Sequence, residues 1–356
     1  MKSKVYIIRV SQEDNRENIC AKLNKLIDSS KVLDFLKAGQ SAALKMHFGE
    51  VGNAGYVRPE YAGVISQAIL KRKAKPFLSD TNTLYSGKRT NSVDHLALAY
   101  EHGFKPEVVK ARVIIPDDSK SENVKEIKQD NQYVKNASIA KLFWDADAIV
   151  GIAHFKGHLM TGFGGALKNL GMGCATRPGK LFQHCNVAPY VIVKNCTACK
   201  ACIAVCPAIA IALKPDKAFI DPQKCIGCAS CLAACKFHAI DVKWESGGDQ
   251  IQEKIVDFAH AVLSNKKGKA AFFNFCLKIT QECDCLAQDD PRIVPDIGIM
   301  ASNDPVAIDK AGFDLVTKAA GKDIFKELHP KRDGMKQLKY AAKLGLGNLE
   351  YKLVEI

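Results

Sequence analysis

Cys196-Thr197-Ala198-Cys199-Lys200-Ala201-Cys202-Ile203-Ala204-Val205-Cys206-Pro207 is answered 29 residues later by Cys225-Ile226-Gly227-Cys228-Ala229-Ser230-Cys231-Leu232-Ala233-Ala234-Cys235-Lys236. Each thiol of the first run recurs with that offset (196 to 225, 199 to 228, 202 to 231, 206 to 235), and Ala210-Ile211 recurs as Ala239-Ile240. The repeat predicts a duplicated unit with a pseudo-twofold axis. Three thiolates at steps of three on a tight loop can converge on three irons of one cubane, while the fourth sits where the chain turns into a helix and points away. Zinc knuckles pair two CxxC motifs around one ion and do not crowd four thiols into eleven residues. A disulfide framework belongs to short secreted chains in oxidising compartments. The spacing therefore predicts two [4Fe–4S] clusters held by eight cysteines.

Residues 189–245 resemble a bacterial two-cluster ferredoxin. The resemblance implies that the fourth cysteine of each run closes the cluster of the other half. One cluster then takes Cys196, Cys199, Cys202 and Cys235, and the other takes Cys225, Cys228, Cys231 and Cys206. Small residues between the thiols (Ala198, Ala201, Gly227, Ala229, Ser230) let backbone N–H groups approach the sulfurs, which helps set the reduction potential. Lys236 departs from the proline that follows Cys206, a change that bears on exposure and not on ligation.

Working outward, the chain of 356 residues is long enough for two or three domains. With 47% hydrophobic and 25% charged residues it is a globular composition, not a disordered or fibrous one. The apolar runs fall short of the roughly 18 residues that span a bilayer, and the first, Val5–Ile8, is too short for a secretory leader. These features predict a cytoplasmic protein without a membrane segment. The net charge of +13 comes from dispersed basic residues, the densest being Lys71-Arg72-Lys73-Ala74-Lys75 and Lys266-Lys267-Gly268-Lys269. Neither group is interleaved with aromatic residues, which favours solvated faces over a nucleic-acid interface.

On either side of the cysteine runs, strand-like and helix-like patterns alternate. Strands are expected at Val5–Val10, Ser41–Phe48, Lys75–Asp80, Ala111–Ile115, Ala148–Ala153, Ala270–Ile279 and Tyr351–Ile356. Helices are expected at Asn18–Ala38, Tyr61–Lys73, Val93–His102, Gln250–Ser264 and Lys336–Leu344, with another opened by Asp304 as N-cap and Pro305 at its first position. The pattern predicts an α/β body with a mixed sheet and helices on both faces. A ferredoxin-like α+β module interrupts it, so that residues 1–188 and 246–356 are the body's two parts and 189–245 the insert.

Several polar groups end strand-like runs, where α/β sheets bind ligands. They are Lys45 and His47, Asp80, and His154, Lys156 and His158 of His154-Phe155-Lys156-Gly157-His158. Arg58 and Arg89 lie nearby in sequence. If these ends converge, they form a basic cleft suited to a small anionic ligand. Gly162–Asn169 opens a helix on glycines, readable as a packing turn or as N–H groups for an anion. Cys283-Asp284-Cys285 can turn two thiols to one side to chelate an additional metal with His158 or His184, to act as a redox dithiol, or to accept an electron.

The string from His154-x-Lys156-Gly157-His158 through Gly162-x-Gly164-Gly165-Ala166-x-Lys168-Asn169, Met172-Gly173, Lys180 and His184 resembles the family of domain of unknown function 362. So do Cys283-Asp284-Cys285, Pro295–Ile299 and Asp304–Asp309. The resemblance spans about Lys45 to Gly321 and implies one discontinuous α/β body with a two-cluster module, without supplying a reaction. The leading expectation is electron transfer through two [4Fe–4S] clusters, to a redox partner protein or to a site in the body. A second is a metal- or thiol-dependent redox enzyme, an oxidoreductase with its site near His154, His158, Cys283 and Cys285. A third is a non-redox binding protein with structural clusters and a basic surface.

Overall fold

The computed structural model describes residues 2–85, 87–185, 187–244 and 248–356. Its central strand is the apolar run Ala148–His154, in which every residue is buried. Such a strand has no polar face and must be covered on both sides. Eight strands, numbered in chain order, form the sheet: β1 Ser3–Arg9, β2 Ser41–Lys45, β3 Lys75–Ser79, β4 Arg112–Ile114, β5 Ala148–His154, β6 Ala270–Cys276, β7 Gly298–Ser302 and β8 Tyr351–Glu355. Their order is β8-β1-β7-β6-β5-β2-β3-β4. Only β7 among them runs antiparallel to its neighbours, β1 and β6. The sheet thus joins strands from both sides of the cysteine-rich segment, and β8 pairs with β1 (Ser3 opposite Tyr351).

Side chains alternate between two cores, as the pleat requires. Ala148, Val150 and Ile152 face the helices Arg16–Ser30 and Pro59–Lys71. Ile149 and Phe272 face Ala166–Gly171, Ile251–Leu263 and Pro305–Ala320. The chain is a mixed α/β fold with a large mixed sheet and helices on both faces. Asp304 caps the helix Pro305–Ala320 by accepting hydrogen bonds from the N–H groups of Val306 and Ala307. No described helix is long and apolar enough to cross a membrane.

Three elements are clearly shorter than the sequence pattern suggests, one of them the strand expected over Ala270–Ile279, which ends at Cys276. The helix expected over Asn18–Ala38 stops at Ser30, because Lys31 adopts a left-handed conformation (φ 57°) and returns its N–H to Ile27. Val32, Leu33 and Leu36 keep a helix-like apolar spacing but belong to a loop that buries them. The strand expected over Ser41–Phe48 ends at Lys45. Missing from the sequence reading are β7 and two hairpins, Val124–Lys128 with Asn136–Ala140 and Lys156–His158 with Gly162–Gly164.

The cysteine-rich segment builds a small unit with internal symmetry. Tyr190 pairs with Asp241 and Phe219 pairs with Ala212, registers that map onto each other by the 29-residue shift. Left-handed backbone recurs at the same offset: Ala198 (φ 55°) with Gly227 (69°), Lys200 (64°) with Ala229 (60°), and Ile209 (50°) with His238 (50°). Short helices Ala201–Ala204 and Ser230–Ala234 follow the loops. The unit's core of Ile211, Ile220, Leu232 and Val242 continues into Leu84, Leu181 and Cys185 of the body. The boundary expected at 245/246 lies outside the described residues.

Candidate functional site

Strands β2, β3 and β5 end side by side, and the residues at those ends are polar. Lys45 is the last residue of β2, Asp80 follows β3, and His154 closes β5. They wall a cavity of about 210 Å³. The segment after β6 folds back over it and contributes Glu282, Cys283, Asp284 and Cys285. The helix Ala166–Gly171 contributes Lys168 and Asn169, and the helix Arg177–His184 contributes Lys180 and His184. Lys45, His47, Asp80, His154, Lys156, His158, Cys283 and Cys285 all line this one cavity. Arg89 does as well, whereas Arg58 stands apart, donating to the Ala54 carbonyl. Tyr85, Trp244 and Glu282 also line it, and no periodicity or motif singles them out.

Burial dictates how the charges are arranged, since an unpaired buried ion is costly. The Lys45 ammonium spends its three donors on Asp80 (3.0 Å), Asn169 Oδ1 (3.0 Å) and the Met46 carbonyl (3.1 Å). Burial pushes the Asp80 carboxyl up, but Lys45, His47 and His95 outweigh it and hold the group well below the ordinary carboxylate range. Arg89 donates to Glu50 (2.8 Å) and lies 2.7 Å from His47 Nε2. Burial depresses Lys180 to about 8, against the pull of Asp80 and Asp118.

Around the Cys283-Asp284-Cys285 turn, closed by the Leu286 N–H on the Cys283 carbonyl (3.0 Å), each side chain has a defined place. Asp284 accepts from His154 Nδ1 at 2.6 Å and lies 3.3 Å from the Lys156 ammonium. His154 Nε2 faces the carbonyls of Leu277 (2.9 Å) and Lys278 (3.1 Å), which fixes the ring. Lys168 donates to the Cys283 sulfur at 3.0 Å. A hydrogen bond from Cys285, opposed by burial and helped by Lys168 and Lys156, sets the Cys283 thiol well below its ordinary range, and the same contact raises that of Cys285. His158, Cys283 and Cys285 bring one ligand atom each within 4.8 Å of one another, a group able to hold a metal ion. His184 Nδ1 is buried without a hydrogen-bond partner among the described residues.

The glycine-led start of the helix Ala166–Gly171 is not open to an anion. Asp309 fills it, accepting from the N–H groups of Ala166 (2.7 Å) and Leu167 (2.9 Å). In the cysteine-rich unit, one recess is lined by Cys196, Cys199, Cys202 and Cys235, and a second by Cys206, Cys225, Cys228 and Cys231. The sulfurs of Cys206, Cys235 and Cys196 accept backbone N–H groups from Ala210 (3.3 Å), Ala239 (3.2 Å) and Ala218 (3.3 Å).

The profile of a family described as "Domain of unknown function (DUF362)" matches residues 42–314. No curated protein matches the chain. Among solved structures, a protein from Thermotoga maritima is similar over 91% of this chain and 61% of its own, at 13% identity and a TM-score of 0.43. The lactate racemase apoprotein from Thermoanaerobacterium thermosaccharolyticum is similar over 76% of this chain and 50% of its own, at 13% identity and a TM-score of 0.38. This chain therefore spans less than two thirds of the length of either.

Proposed function

Since the chain belongs to the family of domain of unknown function 362, we propose that it is an iron–sulfur protein of that family, carrying electrons through two [4Fe–4S] clusters toward the cavity of its α/β body. The observation that carries this reading is the composition of the two recesses: each collects three cysteines from one run and the fourth from the other. The residues fit the group. Thiolates are the donors such clusters require, and N–H groups aimed at sulfur are the contacts that tune them. Cys196, Cys199, Cys202 and Cys235 would hold one cluster, and Cys225, Cys228, Cys231 and Cys206 the other. When bound, the clusters supply one-electron transfer, at potentials between about −700 and +450 mV.

The chain's own residues supply the rest. Left-handed turns at Ala198, Lys200, Gly227 and Ala229 wrap the backbone around each recess. Leu181 of the helix that bears Lys180 and His184 packs on the second cysteine loop: a methyl built at Gly227 would lie 3.6 Å from it. The Trp244 ring meets the His184 ring edge-on at 5.3 Å, and both line the body's cavity. In the cavity Lys45, Asp80 and Arg89 are fixed by partners, while Lys168, Lys180 and His184 keep hydrogen-bonding capacity for a small anionic ligand. Exposed apolar residues of the unit, Ile209, Ile226 and Phe237, suit a redox partner protein. Thiolate-held iron is favoured in a reducing compartment, which supports a cytoplasmic location.

The test is anaerobic purification followed by iron and sulfide analysis, absorption and electron paramagnetic resonance. About eight irons per chain and a band near 400 nm bleached by dithionite are expected, an estimate for thiolate-held cubanes. Colourless protein from a strictly anaerobic preparation overturns the reading.

A further inference from the structure

We propose that Cys283 and Cys285 are a redox-active dithiol, closing to a disulfide and reopening inside the cavity, and that Lys168 sets its poise. The inference rests on the electron-transfer reading only for the source of its electrons. Its geometric basis is the turn itself. Asp284 is pinned between His154 and Lys156, so the intervening residue is immobilised while both flanking sulfurs face the cavity. One His158 ring nitrogen and the two sulfurs lie within 4.8 Å of one another, so the pair meets if the two side chains turn toward each other.

The hydrogen bonds around the pair favour thiol chemistry over metal ligation. The Met160 N–H donates to His158 Nδ1 at 3.1 Å, so that nitrogen offers its lone pair there. In the neutral ring the proton then sits on Nε2, where it can donate to a thiolate and would have to be displaced before that nitrogen could bind a metal. The Lys168 ammonium, 3.0 Å from Cys283, supplies the counter-charge a thiolate needs, and no other hydrogen-bond partner of that ammonium is found among the described residues.

The step balances as follows. The Cys283–Cys285 S–S bond breaks on taking up two electrons, delivered singly by an iron–sulfur donor, and one proton. Cys283 leaves as the thiolate paired with Lys168, and the proton stays on Cys285, whose S–H donates to Cys283. Oxidation is the reverse, with two electrons and that proton released. A reduced form stabilised by a cation makes the disulfide the more oxidising partner.

The test treats anaerobic protein with diamide, then unfolds it, alkylates it and maps the peptides by mass spectrometry. The expected result is a peptide carrying Cys283 and Cys285 that is unalkylated and about 2 Da lighter, restored by dithiothreitol and absent from Cys285→Ser. The oxidised wild type should take up about two more electron equivalents from dithionite than Cys285→Ser, with equal bleaching of colour. In glutathione buffers Lys168→Met should shift the dithiol–disulfide ratio about tenfold toward the disulfide. Alkylation of both cysteines after diamide overturns the proposal. So does non-cluster zinc or iron that falls by one per chain in Cys283→Ser. Colourless samples throughout overturn the cluster reading instead, and the 2 Da shift still decides the thiol pair.

Discussion

In the cysteine-rich unit eight thiols fall within 40 residues of chain and are aimed by backbone turns; around the cavity, Lys45 and Cys285 stand 240 residues apart and are aimed by strand ends. The first arrangement is local, repeats itself and has a small core in which Cys196, Cys202, Cys231 and Cys235 are themselves members. The second is non-local and rests on a sheet covered on both faces. The difference separates two ways of failing. If the thiols hold clusters as proposed, losing them would remove part of the unit's interior, whereas the body would keep its sheet. A broken ion pair in the cavity leaves a charge stranded in the body's interior.

The sharpest way to break this contrast is Cys235→Ser. About half the iron should be lost, with the signal of the cluster that includes Cys196, Cys199 and Cys202, while the body's far-ultraviolet dichroism persists. Loss of the Cys225 cluster instead would contradict the crossed ligation, and collapse of the whole chain would contradict the separation. On the cavity side, Asp284→Ala strands His154 and Lys156, so urea denaturation should register a loss of about 3–5 kcal/mol.

Asp309 sharpens the comparison through pH. Burial, opposed by hydrogen bonds from Leu167, Asn274 and Ala166, raises its carboxyl to about 6. The folded state therefore holds its proton more tightly than the unfolded chain, whose value is about 3.9. That contribution to stability is present below about pH 4 and lost as pH rises to about 6. Relative to Asp309→Asn, wild-type urea midpoints should fall across this window and run parallel above it. Parallel curves throughout would disprove the assignment.

Smaller effects probe packing and surface. A methyl at Gly171 would meet the Ile255 carbonyl at 2.0 Å, so Gly171→Ala should destabilise the body by about 1–3 kcal/mol and leave the iron content unchanged. Lys71→Glu with Lys73→Glu, on an edge remote from both sites, should change stability by less than about 0.5 kcal/mol in the same assay.

The site was legible wherever a polar residue directly follows an apolar run. Lys45, Asp80 and His154 stand at such ends, and a parallel sheet brings such ends together. Cys283 and Cys285 were legible as a pair, but Asp284 between them gave no sign that it would clamp His154 and Lys156. Tyr85, Glu282 and Trp244 reach the cavity from irregular segments, where no period reports direction. Lys31 ended a helix without the glycine or asparagine that usually marks such an end. The acceptor for the glycine-led helix start, Asp309, lies about 140 residues downstream, beyond the reach of any local pattern. β7, short and opened by Gly298 in a conformation with φ of 146°, carries too little β-branched character to announce itself.

The backbone of the doubled unit repeats itself, but its surroundings do not. Gly227 faces Leu181 of the body, while Cys199, on the other loop, is exposed and its counterpart Cys228 is half-buried. A conduit whose two terminals are built alike acquires a direction only from what touches each of them. On the electron-transfer reading proposed above, one terminal meets Leu181 of the sheet domain and the other presents the exposed Cys199, so traffic through it would be vectorial, with entry and exit assigned by contact and not by sequence.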